Sequence, residues 1–231
     1  MNRYLIRFRK KGNMRFISHL DIQRLFKRLI KLAQIPVAYS QGFNPHELTN
    51  IVQPLSLGYE SESEYFEIDT NGPIDMDKAL EGLNLHAPKG FEFTDIKETP
   101  TGKRNLSSIT AYAVYKAEVR PENRIPHNFH INDFLSQNSI IIMKRDKKTK
   151  SMVEKDVKNM VRQLDQSANE DAECFDMVLA CASNSTLNPM NLLDSLYLFE
   201  GIELNHEDVR ITRIDMLAEK DGKLISAYDF F

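Results

Sequence analysis

The chain of 231 residues has no tryptophan and only two cysteines, Cys174 and Cys181. Two cysteines seven positions apart, with no Cys-x-x-Cys pair, exclude a disulfide framework and a cysteine-held zinc or iron–sulfur site. Cys181 follows the apolar residues 177–180, so both thiols are predicted to be buried. No run approaches the roughly 18 consecutive apolar residues of a membrane span. The opening MNRYLIRFRKKG has too many charges for a signal-peptide core. We therefore expect a reduced, cytoplasmic protein with no membrane partner.

The sequence also lacks the short motifs that mark common enzyme classes. It contains no P-loop, no GxGxxG, no GxSxG, no HExxH and no paired His–Cys arrangement. No metal site and no cofactor are predicted, and a catalytic role is the less favoured reading.

The net charge is close to zero overall, but the basic residues are concentrated at one end. The chain has 30 Lys+Arg against 33 Asp+Glu, a formal net charge of -3. Residues 1–50 hold ten Lys or Arg against only Asp21 and Glu47, a net of +8, which leaves -11 for residues 51–231. This distribution indicates an anionic partner for the N-terminal region.

The hydrophobic pattern predicts an α+β fold. An N-terminal unit at 1–99 has the β-α-β-β-α-β order of a ferredoxin-like unit, with Tyr4, Ile6 and Phe8 on the buried face of its first strand. A linker at 99–103 precedes a second unit at 105–231, for which a decorated ferredoxin-like unit is expected. The first unit has strands at 3–9, 37–39, 64–69 and 91–96 and helices at 18–33 and 76–83. The second has strands at 109–119, 139–145, 152–157, 175–182 and 209–217 and helical segments at 129–135, 157–164 and 189–199.

The start of the basic helix offers a candidate anion site. Free N–H groups and the helix dipole favour a phosphate there, and Arg15 and His19 would add charged contacts. The alternative is that Ser18 and Asp21 only cap the helix, using the same N–H groups.

The loop Ser40–His46 is a candidate site for single-stranded RNA. Gln41, Phe43, Asn44 and His46 supply amides, an aromatic ring and an imidazole, which suit base stacking and hydrogen bonding to base edges. A tight structural turn with Phe43 tucked inward needs the same Gly and Asn-Pro residues. His19 and His46 would together bind a metal or transfer protons if they met, but no third ligand stands at diagnostic spacing.

Two sets of basic residues complete the candidate surface. Arg3, Arg7 and Arg9 are predicted on an open sheet face, unless Glu67 and Asp69 pair with Arg7 and Arg9 across the strands. The helix at 18–33 carries the second set, a stripe of basic residues with no acid at i±4 to any of them. The alternative is that this stripe is a solvated face without a partner. Its members are Arg24, Lys27, Arg28 and Lys31. A run of bases at 144–150 is either a solvated hairpin tip or a second phosphate contact.

Two stretches together resemble a known family. These are RFISHLDIQRLFKRLIKLAQIPVAYSQGFNPH and the later PLSLGYESESEYFEID. The chain resembles the bacterial radical-SAM-linked domain of unknown function, which is fused to radical SAM proteins or encoded beside them. The resemblance covers residue 1 to roughly 200 and is strongest over 1–70; Glu47 departs from the Pro-Lys-like continuation common after His46. It implies a cytoplasmic accessory module whose radical SAM partner carries the iron–sulfur chemistry, and it implies no catalytic residues.

These observations favour a non-catalytic module that binds tRNA or ribosomal RNA and works with a radical SAM protein. One alternative is an RNA-modifying or RNA-cleaving enzyme on tandem ferredoxin-like folds, with His19, Asp21 and His46 as its first candidates. A protein-interaction adaptor is the other. The residues expected to contact RNA are Arg7, Arg15, Ser18, His19, Arg24, Lys27, Arg28, Lys31, Gln41, Phe43, Asn44 and His46.

Overall fold

Helices and strands are mixed along the chain in a computed structural model that describes residues 1–102, 105–120, 126–145, 149–167 and 171–231. The chain divides into unit 1, residues 1–110 and 213–231, and unit 2, residues 111–212. The elements in order are β1 (Asn2–Lys10), α1 (His19–Leu32), β2 (Thr49–Ile51), β3 (Glu60–Thr70), α2 (Met76–His86), β4 (Phe91–Thr99), α3 (Leu106–Ile109), β5 (Thr110–Val119), α4 (Ile131–Ser136), β6 (Ile141–Arg145), β7 (Met152–Asp156), β8 (Val161–Ser167), β9 (Glu173–Ala182), β10 (Ser185–Thr186), α5 (Pro189–Phe199), β11 (Val209–Lys220) and β12 (Lys223–Ser226).

The sheet of unit 1 is antiparallel around β1. Ile6 of β1 lies opposite Phe66 of β3 on one side and Ile96 of β4 on the other. β2 and β11 also pair with β3, and β12 pairs with β11. The predicted α+β class is confirmed, while the finer assignment of two ferredoxin-like units stays a prediction. The second strand lies at β2, whereas the predicted segment 37–39 contributes only isolated bridges to Thr70 and Glu47.

The helices of unit 1 pack on one face of this sheet. Phe8 of β1 and Phe26 of α1 meet edge to face with ring centroids 4.9 Å apart, and Phe26 stacks on Phe66 at 4.5 Å. Tyr4 and Ile6 share this core, as the alternation in the sequence predicted. Burying a side chain of this size contributes about 1.5–3 kcal/mol, so this aromatic cluster fixes α1 on the sheet.

The other sheet face of unit 1 is covered at Arg7, which the sequence predicted to be on an open face. The Tyr228 ring stacks on Tyr65 at 6.0 Å, and the Arg7 guanidinium lies 5.7 Å from the Tyr228 ring centroid. Arg7 Nε also donates to Ser63 Oγ at 2.9 Å. The cause is long-range, because residues 213–231 return to unit 1 and place Tyr228 there.

The strand arginines beside Arg7 are paired with acids. Arg3 forms a two-pronged pair with Asp69 at 2.7 and 3.0 Å, whereas the sequence offered Asp69 as a partner for Arg7 or Arg9. Arg9 lies 3.1 Å from Glu92 and 3.4 Å from Glu62 instead. Neither is a free cation of the surface.

A buried charged cluster lies between β1, β3 and β11 in unit 1. Arg213 is 1% exposed; its Nε donates to Glu64 Oε1 at 2.7 Å and its Nη2 donates to the other carboxylate oxygen. Nη2 also donates to the Gln53 carbonyl at 2.8 Å. Lys10 is equally buried, and burial lowers the pKa of its ammonium group against the opposing field of Glu64. These groups tie the C-terminal strand to the N-terminal sheet of the same unit.

The sheet of unit 2 is built around β9. Val178 lies opposite Val114 of β5, and Met177 lies opposite Leu164 of β8. β6 and β7 form a separate hairpin, as predicted, although residues 146–148 of its basic tip lie outside the described residues. Cys174 and Cys181 are buried free thiols, which confirms the prediction.

The helix predicted at 157–164 is wrong. A 3-10 turn at Lys158–Met160 leads into β8, whose register against β9 shifts between Val161 and Gln163. A bulge of this kind interrupts the alternation of side chains along a strand. The apolar residues of this segment are therefore spaced as they would be on one face of a helix.

The unit bounds differ from the predicted division at 1–99 and 105–231. Unit 1 extends to residue 110 and regains residues 213–231, because Arg213 and Tyr228 pack in it. No helix of the described residues is long and apolar enough to cross a membrane.

Candidate nucleic-acid interface

The N-terminus of α1 is capped by its own residues. Ser18 Oγ accepts from the Asp21 N–H at 3.2 Å and donates to Asp21 Oδ2 at 2.7 Å. The Ser18 hydroxyl, with help from Arg24 at 3.0 Å, holds the pKa of the Asp21 carboxyl below its ordinary value. A carboxylate therefore already sits at the positive end of the helix dipole, where the sequence also allowed a phosphate.

A half-buried Arg15 packs on the exposed ring of Phe16 just before α1. The Arg15 guanidinium lies 4.7 Å from the Phe16 ring centroid, and its Nη1 is 3.7 Å from Glu60. Phe16 is 59% exposed, and Leu20 one turn later is 61% exposed. A planar cation over a half-exposed ring is a surface on which a base can stack.

The basic stripe of α1 is divided by Glu47, an acid that the sequence did not pair with the helix. Lys27 Nζ is 3.0 Å and Lys31 Nζ 3.7 Å from the Glu47 carboxylate, whose side chain is only 9% exposed. The Lys27 hydrogen bond holds the pKa of Glu47 below its ordinary value. Arg28 is exposed and has no ion pair among the described residues. No local spacing could reveal Glu47, since it lies 20 residues beyond Lys27.

The loop Ser40–His46 is closed at its base and open at its tip. Ser40 N–H donates to the His46 carbonyl at 2.8 Å, and His46 N–H donates to Ser40 Oγ at 3.1 Å. Ser40 Oγ also lies 2.8 Å from His46 Nδ1. Beyond this closure Gln41, Phe43 and Asn44 are exposed, and the Phe43 ring is fully exposed. The alternative with Phe43 tucked inward is wrong.

His46 lines a cleft beside α1, and His19 contacts Gln23 in the wall of that cleft. Gln23 Nε2 lies 3.1 Å from His19 Nε2, and Gln23 lines a cleft of about 210 Å³ together with Lys27 and His46. No hydrogen bond or ring contact joins the two histidines in the part of the chain that the structure describes.

The charge balance of unit 1 is far from the +8 of its first 50 residues. Its two segments hold 18 Lys or Arg and 17 Asp or Glu, a net of +1. Most N-terminal cations meet acids of the same unit, as at Arg3, Arg9, Lys11 and Arg15. Exposed positive charge is left mainly on α1, next to the loop, and Arg7 lies apart from it under Tyr228.

The sequence selected the loop and the start of α1 as separate candidate sites, but it did not select Phe16 or Leu20 and did not pair Glu47 with the helix. The signal for Phe16 and Leu20 was available, since both fall off the apolar stripe of α1.

Comparison with known proteins gives a family but no described activity. No curated protein matches the sequence. The profile of a family described as "Uncharacterized protein conserved in bacteria" (DUF2344) matches residues 3–189, and because this match spans well over half of the chain, the protein belongs to that bacterial family.

Proposed function

We propose that unit 1 binds single-stranded RNA through a surface formed by the tip of the loop Ser40–His46 and the first turns of α1. We call this the loop–α1 surface; its members are Phe16, Leu20, Arg24, Arg28, Gln41, Phe43 and Asn44. The observation that carries the proposal is Phe43, a fully exposed aromatic ring at the tip of a closed loop.

The closed base of the loop makes Phe43 an effective stacking platform. Three hydrogen-bonding contacts between Ser40 and His46 fix the two ends of the loop. Because the loop is already ordered, little further conformational entropy is lost when the Phe43 ring binds a base. Base–aromatic stacking contributes about 1–3 kcal/mol per base. Gln41 and Asn44 flank the ring with amides that can read base edges.

Electrostatics have a smaller part than the +8 of the first 50 residues suggests. Arg24, Arg28 and Lys31 are the exposed cations on α1, and two of them already face an acid. If all three contact phosphates, the slope of log K against log salt is about -2 for a single strand. We therefore expect stacking to dominate and salt dependence to be shallow.

The partner in this proposal is a radical SAM protein. The resemblance of residues 1–70 to the radical-SAM-linked domain supports it. In this reading the protein is a cytoplasmic accessory module that presents tRNA or ribosomal RNA to the partner.

The enzyme alternative has less support from the geometry. Asp21 is held by Ser18 and Arg24, His46 by Ser40, and His19 by Gln23. Each candidate is occupied in a local contact, and the three do not converge on one point within the described residues.

The test is fluorescence anisotropy of labelled single-stranded RNA with the full chain. Phe43→Ala should weaken binding by about 5- to 150-fold, the loss of one stacked base. Leu85→Ala is the matched control, since Leu85 is also a largely exposed apolar side chain of unit 1 but lies on α2. Equal affinity of wild type and Phe43→Ala refutes the proposal.

Two further measurements separate the alternatives. Mass spectrometry of RNA incubated with the purified protein detects cleavage or modification, which only the enzyme alternative expects. Purification with and without nuclease treatment distinguishes an RNA-mediated partner from one that the adaptor alternative would bind directly.

A further inference from the structure

Three potential metal ligands meet in unit 2, far along the chain from the loop–α1 surface. Nε2 of His127 lies 3.2 Å from Oε2 of Glu200, and Nδ1 of His130 lies 3.0 Å from the same oxygen. All three ligand atoms fall within 4.8 Å of one another. In the sequence His127 and His130 form a short His-x-x-His pair, and Glu200 stands 70 positions beyond His130.

The distances match the requirements of a zinc ion. Two ligands that each lie about 2.05 Å from a tetrahedral zinc ion are separated by about 3.3 Å. Both His–Glu distances in unit 2 are close to that value, so an ion bridging them needs little movement of the side chains. Two histidines and one carboxylate are also a common ligand set of open zinc sites.

The ligands are held in place by their own surroundings. Glu200 is the C-cap residue of α5, with its side chain 6% exposed, and its Oε1 accepts the His130 N–H at 2.6 Å. On the other side, the His127 N–H donates to Glu173 at 2.8 Å, and its carbonyl accepts from Gln166 at 2.7 Å. Backbone contacts therefore fix both histidines independently of their rings, which lowers the ordering cost of binding.

The cluster also has an accessible side. The side chain of His130 is 67% exposed and that of His127 is 33% exposed, while the carboxylate behind them is buried. An ion can enter from solvent and keep a water molecule in its fourth position, as open zinc sites do.

We propose that His127, His130 and Glu200 form a zinc-binding site of unit 2, with three protein ligands and one position left for water. The proposal is independent of RNA binding by unit 1. The chain supplies a matched comparison, because His206 and Asp194 form an exposed pair at 2.6 Å that has only two potential ligands.

The experiment is a titration of the full chain, stripped with a chelator, with Zn²⁺ in competition with a chromophoric indicator. We expect one zinc ion per chain. His127→Ala and His130→Ala should each weaken binding by at least 100-fold, since losing only a residue that supports a ligand costs 10- to 100-fold. His206→Ala should leave affinity and stoichiometry unchanged.

A second measurement guards against misfolding. His130 is the most exposed of the three ligands, so circular dichroism of His130→Ala should match wild type while its zinc affinity falls. Glu200→Gln, which keeps an oxygen for the His130 N–H, should also lose affinity. The proposal is overturned if the wild type binds no stoichiometric zinc, if binding survives in both histidine variants, or if His206→Ala reduces it equally.

Discussion

Removing the carboxylate of Glu64 should destabilise unit 1 far more than removing any surface acid. Glu64→Ala takes from Arg213 a two-pronged partner in a position where the guanidinium is 1% exposed. It also removes the negative field that favours a charged Lys10, which is equally buried. Two buried cations then face each other without the Glu64 carboxylate.

The size of the effect follows from the burial of the pair. Breaking a buried ion pair by deleting one partner costs about 3–5 kcal/mol. A typical domain has only about 5–15 kcal/mol of stability, so this is a large fraction of the total. Glu62 provides the control on the same strand: it pairs with Arg9 and Lys11, but these side chains are 37–48% exposed. Glu62→Ala should cost no more than about 1 kcal/mol.

Native-state hydrogen exchange is the suitable assay, because a chain of two units need not unfold in one transition. In Glu64→Ala, the opening free energy of amides in β1 and β3 should fall by about 3–5 kcal/mol, whereas amides of β9 in unit 2 serve as an internal reference. If Glu64→Ala and Glu62→Ala lower protection in β1 and β3 to the same extent, the buried pair does not stabilise unit 1 and the reasoning is refuted.

Two further predictions concern other parts of unit 1. Because Lys27 lowers the pKa of Glu47, the stabilisation from this carboxylate is full above its ordinary pKa of 4.5 and is lost as the pH falls through the lowered value. Glu47→Gln should therefore lose less stability on acidification below pH 4.5 than wild type in urea titrations, and parallel acid profiles would contradict this. Gly90→Ala should cost about 1–3 kcal/mol in thermal unfolding, because Gly90 has a φ of +96° and an added Cβ would lie 2.5 Å from the Lys11 carbonyl oxygen. Gly72→Ala, with nothing within 4 Å and no positive φ, should be close to neutral, and equal costs at the two glycines would count against the argument.

Local patterns predicted the elements that local physics controls. The apolar stripe and the Ser18 cap placed α1 within one residue of its observed bounds, and Pro189 marked the start of α5. Both segments carry their own start signals and a continuous apolar face. The same kind of pattern wrongly predicted a helix at 157–164, because the register shift in β8 is visible only against the partner strand.

The candidate surface shows the same division between local and distant information. The chemistry of the loop Ser40–His46 was evident from its residue types, and its closure by Ser40 and His46 involves positions only six apart. Cross-strand neutralisation was an open alternative, but its actual pairs were not evident, since Asp69 and Glu92 reach Arg3 and Arg9 from strands 66 and 83 residues away. The basic residues that suggested a strongly basic surface are thus largely neutralised by acids that β-sheet pairing brings beside them.

The pairing of Glu64 with Arg213 has a consequence for how the protein is made. The two residues are 149 positions apart, and Arg213 belongs to the segment that completes unit 1. At about 5–20 residues per second, a ribosome needs roughly 7–30 s to add Arg213 after Glu64. During that interval the nascent first unit lacks both its guanidinium and the Tyr228 ring that covers Arg7. Vectorial synthesis therefore allows unit 2 to emerge before unit 1 can close, which reverses the usual N-terminal-first order of folding.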